Sequence, residues 1–330
     1  MLLLLSTQSC ALLNGTKKIT SISYEIPSNA EINYGSSFQI EFYANYSNCK
    51  KKNITGKSDL IVEVDGGSYS KGRIKLPEYP EQWLKDTLTV SASYSLKEDT
   101  FRIQENIPFN YRGEVEIDFS GIQGATGTNG ADRGTPLVFR NGNDGGDGLT
   151  DQVGQNGDDL TVLVWKDITL DLFKIKITSL SQDKTYYYTD KNNGFPFRIL
   201  SNGGPGGVGG KGGKGGNGKD GVINDKKNKR PGNVGNGGNG GQGGNGGNGG
   251  VVYMTFHPNA TAIENMIVVY NFPGDGGQGG DGGQAGEPGE PAPGQDSGEP
   301  GTEGQPGIMG INGAPGNTII ELQPFDFEHE

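Results

Sequence analysis

Residues 203–221 read GGPGGVGGKGGKGGNGKDG, and residues 232–250 read GNVGNGGNGGQGGNGGNGG. In the first, glycine holds a strict period of three: Gly203, Gly206, Gly209, Gly212, Gly215, Gly218, Gly221. The same period runs from Gly232 to Gly250. A period of three specifies a left-handed extended helix with three residues per turn. It does not fit an α-helix, whose period is 3.6, or a β-strand, whose period is 2.

Working outward, the same pattern covers residues 121–130 and 142–157, and residues 274–289 and 298–316. In the last pair glycine fills every step from Gly274 to Gly316 except Ala292 and Gln295. Each pair sits in one grammar of strand, rod, loop, rod, strand. GEVEIDF (113–119) precedes the first pair and LTVLVWK (160–166) follows it; FPFRILS (195–201) and VVYMTFH (251–257) flank the second; MIVVYNF (266–272) and NTIIELQ (317–323) flank the third. Rods of similar length separated by short loops predict three antiparallel hairpins, 121–157, 203–250 and 274–316. At about 3.1 Å per residue the longest rods span roughly 55–60 Å. The six flanking strands are expected to pair into a β-base that buries Leu163, Trp165, Val252, Tyr253, Val268 and Val269. The rods have no apolar core of their own, so backbone hydrogen bonds between rods must hold them.

Two kinds of structure use this period. Collagen winds three chains, with one glycine per triplet and many prolines. Polyglycine II bundles pack several rods of one chain in a hexagonal array. The stretches 203–217, 235–250 and 274–284 carry about two glycines per triplet and almost no proline, and they resemble the glycine-rich bundles of phage tail-fibre tips and springtail antifreeze proteins. That resemblance implies a single-chain array with the second hairpin at its centre. Residues 286–316, with one glycine per triplet, are collagen-like, and a collagen-like trimeric stalk or a flexible linker are the competing readings. Proline lacks a donor and belongs on an outward edge of an array.

The rest of the chain reads as all-β with almost no α-helix. Residues 18–112 contain about seven short runs such as SSFQIEFYANY and DTLTVSASYS, separated by turns at 33–35, 65–67 and 97–99. Leu88, Val90, Ala92 and Tyr94 alternate with Thr87, Thr89, Ser91 and Ser93. This density of strands resembles an immunoglobulin-like sandwich, without the Cys…Trp…Cys signature of antibody domains. Only 78–86 (EYPEQWLKD) has the composition for a helical turn, and Trp83 reads as a core plug. The expected domains are a leader and tether at 1–17, the sandwich at 18–112 and the β-base with its rods at 113–330.

The opening MLLLLSTQSC resembles the end of a bacterial lipoprotein signal peptide. The resemblance implies cleavage before Cys10, a covalent lipid on Cys10 as the anchor, and residence at the bacterial outer membrane, facing the cell surface. Cys49 would then have no intramolecular partner. Net charge is −11 with no large basic face, which excludes nucleic acid as a natural partner. No run of 18 apolar residues spans a membrane as a helix.

Candidate chemistry is sparse. With only His257 and His329 in the chain, a histidine-based triad or metal cluster is disfavoured, and no catalytic residue, cofactor or metal is expected. Asp144, Asp147 and Asp151 lie in GNDGGDGLTD, which fails the calcium-binding nonapeptide of repeat toxins by one position. The loop carrying Lys226, Lys227, Lys229 and Arg230 is expected at the same end as the loop region carrying Glu287, Glu290, Asp296 and Glu299. Opposite charges would join those tips, or form two solvated patches. These loops are the candidate partner-binding residues, and Tyr186, Tyr187 and Tyr188 are a candidate aromatic surface, the alternative being strand core. The expectation is a non-enzymatic accessory or structural subunit of an outer-membrane protein complex. The alternatives are an adhesin for glycans or host or phage surfaces and, as minor readings, a collagen-like stalk or an ice-binding protein.

Overall fold

The computed structural model describes residues 18–137, 141–224 and 227–326. The fold is nearly all β. The one helical element among the described residues is a 3-10 helix, Pro258–Met266, capped by the His257 ring, which accepts from the N–H of Asn259. The 78–86 stretch is irregular instead of helical. Pro80 lies inside it, where it removes a helical donor and disfavours helix in the preceding residue.

Residues 18–108 form nine strands rather than about seven, in three small sheets. One holds β1 (Ile19–Glu25), β3 (Glu41–Tyr46) and β4 (Lys51–Asn53); the second holds β2 (Ser37–Gln39), β6 (Ser68–Ser70) and β7 (Arg73–Lys75); the third holds β5 (Leu60–Asp65), β8 (Thr87–Leu96) and β9 (Asp99–Pro108). On β8 the alternation is obeyed: Leu88, Val90, Ala92 and Tyr94 are buried.

The six strands flanking the rods do not form one base. The three that enter rods, β10 (Val115–Asp118), β14 (Phe197–Leu200) and β18 (Ile267–Tyr270), pair in parallel with each other. The three that leave rods, β11 (Leu160–Asp167), β17 (Val252–Phe256) and β19 (Thr318–Leu322), pair in parallel in a second sheet. That sheet is extended beyond β11 by the antiparallel β12 (Leu172–Ser179) and β13 (Lys184–Asp190). Ile117 and Ile199 of the first sheet share one buried cluster with Val162, Val164, Met254 and Phe256 of the second. The expected core was partly out of phase: Val162 and Val164 are buried where Leu163 is half-buried, and Tyr253 is exposed beside the buried Val252. A one-residue shift in a strand changes the face.

The two parts of the chain are joined by aromatic side chains. The Tyr34 hydroxyl bonds Thr189 Oγ1 at 2.9 Å, and the Tyr188 hydroxyl donates to Glu78 O at 2.9 Å. Burial pushes the Tyr34 phenol up to about 12 and raises those of Tyr111 and Tyr188 further still.

Candidate functional site

Above the two sheets stand six extended rods: rod 1 (121–133), rod 2 (142–157), rod 3 (203–221), rod 4 (232–250), rod 5 (274–289) and rod 6 (298–316). Rods 1, 3 and 5 continue the first sheet. Gly121 N–H reaches Asn202 O at 2.8 Å, and Gly203 N–H reaches Phe272 O at 2.8 Å. Rods 2, 4 and 6 continue the second. Gly145 N–H reaches Asn236 O at 2.8 Å, and Gly237 N–H reaches Thr302 O at 2.9 Å. Both patterns repeat every third residue along the rods.

The two layers also bond directly to each other. Gly304 donates to Gly283, Gly283 to Gly238, Gly238 to Gly213, Gly213 to Gly146 and Gly146 to Ala131, at 2.8–2.9 Å throughout. One peptide relay therefore crosses all six rods, and it recurs at successive levels. Where the sheets are separated by side chains, the layers above them are in backbone contact, and between the central rods glycine permits it. A Cβ on Gly240 would overlap the carbonyl of Gly280, and one on Gly210 the carbonyl of Thr128. Rods 3 and 4 each bond to four neighbours, which is why the second hairpin carries two glycines per triplet.

The third position of each triplet has a structural task that composition did not disclose. Asp144 Oδ1 and Asp147 Oδ1 accept the N–H groups of Asn236 and Asn239, both at 2.7 Å. Asn236 and Asn239 in turn accept the N–H groups of Thr302 and Gln305, both at 2.9 Å. Asn245 and Asn248 do the same for Ile311 and Ala314. The asparagines of rod 4 are thus rungs between rods rather than a solvated coat; their three-residue spacing was the available signal. The same rungs employ Asp144 and Asp147, so these carboxylates are structural acceptors. On the outer edge of rod 6, Pro300, Pro306 and Pro315 are exposed and occupy positions from which no donor to a rod is needed.

At the far end, β15 (Val222–Asn224) and β16 (Lys227–Lys229) form a small hairpin. Lys226 lies outside the described residues; Lys229 and Arg230 are exposed. Sequence reading pointed to opposed charges between the tips. Amide and backbone bonds join the described tips: Gln295 Nε2 donates to Asn228 Oδ1 at 3.2 Å and to Lys229 O at 3.1 Å, and Gly221 N–H donates to Glu290 O at 2.7 Å. Asp296 is exposed. An ion pair does link these hairpins, but along the rods: Lys211 to Asp281 at 3.0 Å.

The tyrosine triplet is not a surface. Tyr186 and Tyr188 are buried on β13, because alternation turns both toward the core. Tyr187 faces the other way and meets Trp83, with ring centroids 4.9 Å apart. Trp83, read as a core plug, is instead 36% exposed, and its ring stands edge-on to buried Trp165 at 5.3 Å. Cys10 lies outside the described residues. Cys49, expected to lack an intramolecular partner, is disulfide-bonded.

No known protein family matches the chain, and no curated protein matches it.

Proposed function

We propose that this chain is a non-enzymatic lipoprotein of the bacterial cell surface, acting as a structural or accessory subunit of an outer-membrane protein complex. In this reading residues 18–112 are an immunoglobulin-like sandwich and the six rods are a polyglycine II bundle, a stiff element that carries its end loops away from the membrane. The observation that carries the reading is the six-rod peptide relay. A body held by backbone bonds at every third residue is rigid and is suited to bracing or display.

A second observation favours a docked subunit over a free spike. β18 and β19 are the last strands of their sheets, and rods 5 and 6 continue them. Along that one side Phe272, Ile308, Ile311, Ile320 and Leu322 are all more than half exposed. An apolar edge of this kind is a protein-contact surface.

The test is purification from native membranes through a C-terminal tag in mild detergent, with mass spectrometry of what accompanies the chain. A stoichiometric membrane partner is the expected result; recovery of the chain alone would favour the adhesin. Intact mass of the same sample decides the anchor. The anchored reading requires a diacylglyceryl thioether on the Cys10 sulfur.

A further inference from the structure

Both tryptophans of this chain, Trp83 and Trp165, meet at one surface cleft of about 900 Å3 between the 78–86 stretch and the β11–β12 turn. Trp83 is held on two sides, by Trp165 edge-on and by Tyr187 at 4.9 Å, and Lys174 Nζ sits over one face of its ring, 5.3 Å from the centroid. Phe325 packs edge-on to Trp165 from the far wall. A large aromatic ring fixed in orientation yet left one-third exposed is a preorganised platform rather than a core residue.

The polar wall is equally ordered. Asp167 Oδ1 accepts the N–H groups of Thr169 and Leu170 at 3.0 and 3.2 Å, and its Oδ2 pairs with Lys174 at 3.0 Å. The Lys174 hydrogen bond, with these backbone donors, holds the Asp167 carboxyl below the usual carboxylate range, so the pair is ionic at neutral pH. Lys166 pairs with Asp171 at 2.6 Å. The two lysines that line this wall are thus each matched by an aspartate, which leaves no excess positive charge for a phosphate or sulfate. Asn259 is consumed in fixing the wall, its side chain bonding both N–H and C=O of Lys166 at 3.0 Å.

We propose that this cleft binds a neutral oligosaccharide. The C–H face of a pyranose ring stacks on the Trp83 indole, and its hydroxyls, each both donor and acceptor, bridge the Asp167–Lys174 pair, which offers an acceptor beside a donor. The cleft opens to the surface, and its volume of about 900 Å3 exceeds that of a single sugar ring. This site is independent of the rods and of how the chain is anchored.

The test uses the full chain and a panel of neutral hexasaccharides: cellohexaose, xylohexaose, mannohexaose and the chitin hexamer. Because the protein's only tryptophans line the cleft, fluorescence excited selectively in tryptophan, beyond the absorption of its 13 tyrosines, reports on it. At least one hexamer should shift the emission saturably, with the same affinity by calorimetry. Trp83→Ala should remain folded, with a melting point lowered by the lost ring contacts, and should weaken binding about tenfold or more. Trp83→Phe, which keeps a ring, should retain most of the affinity, and Lys174→Ala should lose it with Trp83→Ala. The proposal is overturned if no neutral hexamer binds, if Trp83→Ala binds unchanged, or if only a sulfated glycan or a proline-rich peptide shifts the emission.

Discussion

The N–H of Gly244 reaches the carbonyl of Gly207 at 3.2 Å, the longest of the bonds between the two central rods, whose others run from 2.7 to 2.9 Å. The neighbouring bonds of the same relay are also long, Gly207 to Gln152 at 3.1 Å and Gln152 to Ala125 at 3.2 Å. The cause is Asp151, which stands where the period of rod 2 calls for glycine. Its carboxylate oxygens are buried without a hydrogen-bond partner, lying 2.6 Å from where a Cβ on Gly244 would be and 2.9 Å from one on Gly207. A buried polar group without a partner costs roughly 1–3 kcal/mol. Asp151→Gly should therefore stabilise the protein by about that amount, seen as a raised midpoint in urea at unchanged slope. A lower midpoint would mean that the carboxylate has a partner in solution.

The converse substitution tests the backbone contact between layers. Gly240→Ala places a methyl group inside the carbonyl of Gly280, so the rods must separate, at a cost of about 3 kcal/mol or more. Gly134→Ala, in open space beyond rod 1, should change stability by less than about 0.5 kcal/mol. Equal effects at the two positions would contradict the packed array.

The asparagine rungs predict a graded loss. Asn236→Ala removes the acceptor for the Thr302 N–H and hydroxyl, at 2.9 and 3.1 Å, and should cost about 1 kcal/mol. Combining it with Asn248→Ala, four triplets along rod 4, should double the loss, because distant sites add. Thermal melts of the two single variants and the double variant measure this directly.

Asp190 gives the fold a pH dependence. It is buried at the end of β13, and burial lifts its carboxyl to about 7 against 3.8 for the free group, opposed only by the Lys191 N–H at 2.7 Å. The folded state therefore holds a proton that the unfolded chain releases between about pH 4 and pH 7. The associated stability is fully present below the lower value and is lost as pH rises through the upper one. Wild type should melt progressively lower from pH 5 to pH 8, and Asp190→Asn should flatten that trend. A pH-independent melting temperature in wild type would refute it.

Much of the rod region was legible in the sequence. A glycine at every third residue excludes helix and strand by period alone, and the pairing of glycine-rich stretches around short loops marks the hairpins. The doubled glycines of residues 203–250 mark the centre, because a rod with four neighbours has no room for a Cβ at two positions in three. The prolines of rod 6 mark an edge by their missing donors. β8 was legible for the same reason: strict alternation is a local property of a strand with one buried face.

What only the tertiary structure decided concerns pairs of groups distant in the chain. Nothing local in 113–119, 160–166 or 251–257 distinguishes a strand that pairs with its entering counterparts from one that pairs with its leaving counterparts. That choice follows from the parallel course of alternate rods, each layer extending one sheet. Asn236 looks like any exposed asparagine until rod 6 brings the Thr302 N–H within 2.9 Å. Tyr186 and Tyr188 differ from Tyr187 only by the phase of β13, and Trp83 acquires its place from Trp165 and Tyr187 on the opposing sheet. The conformation of a glycine rod is a property of its own backbone sterics. The neighbour of each rod, and therefore every rung and cleft between elements, is a property of the whole chain's packing.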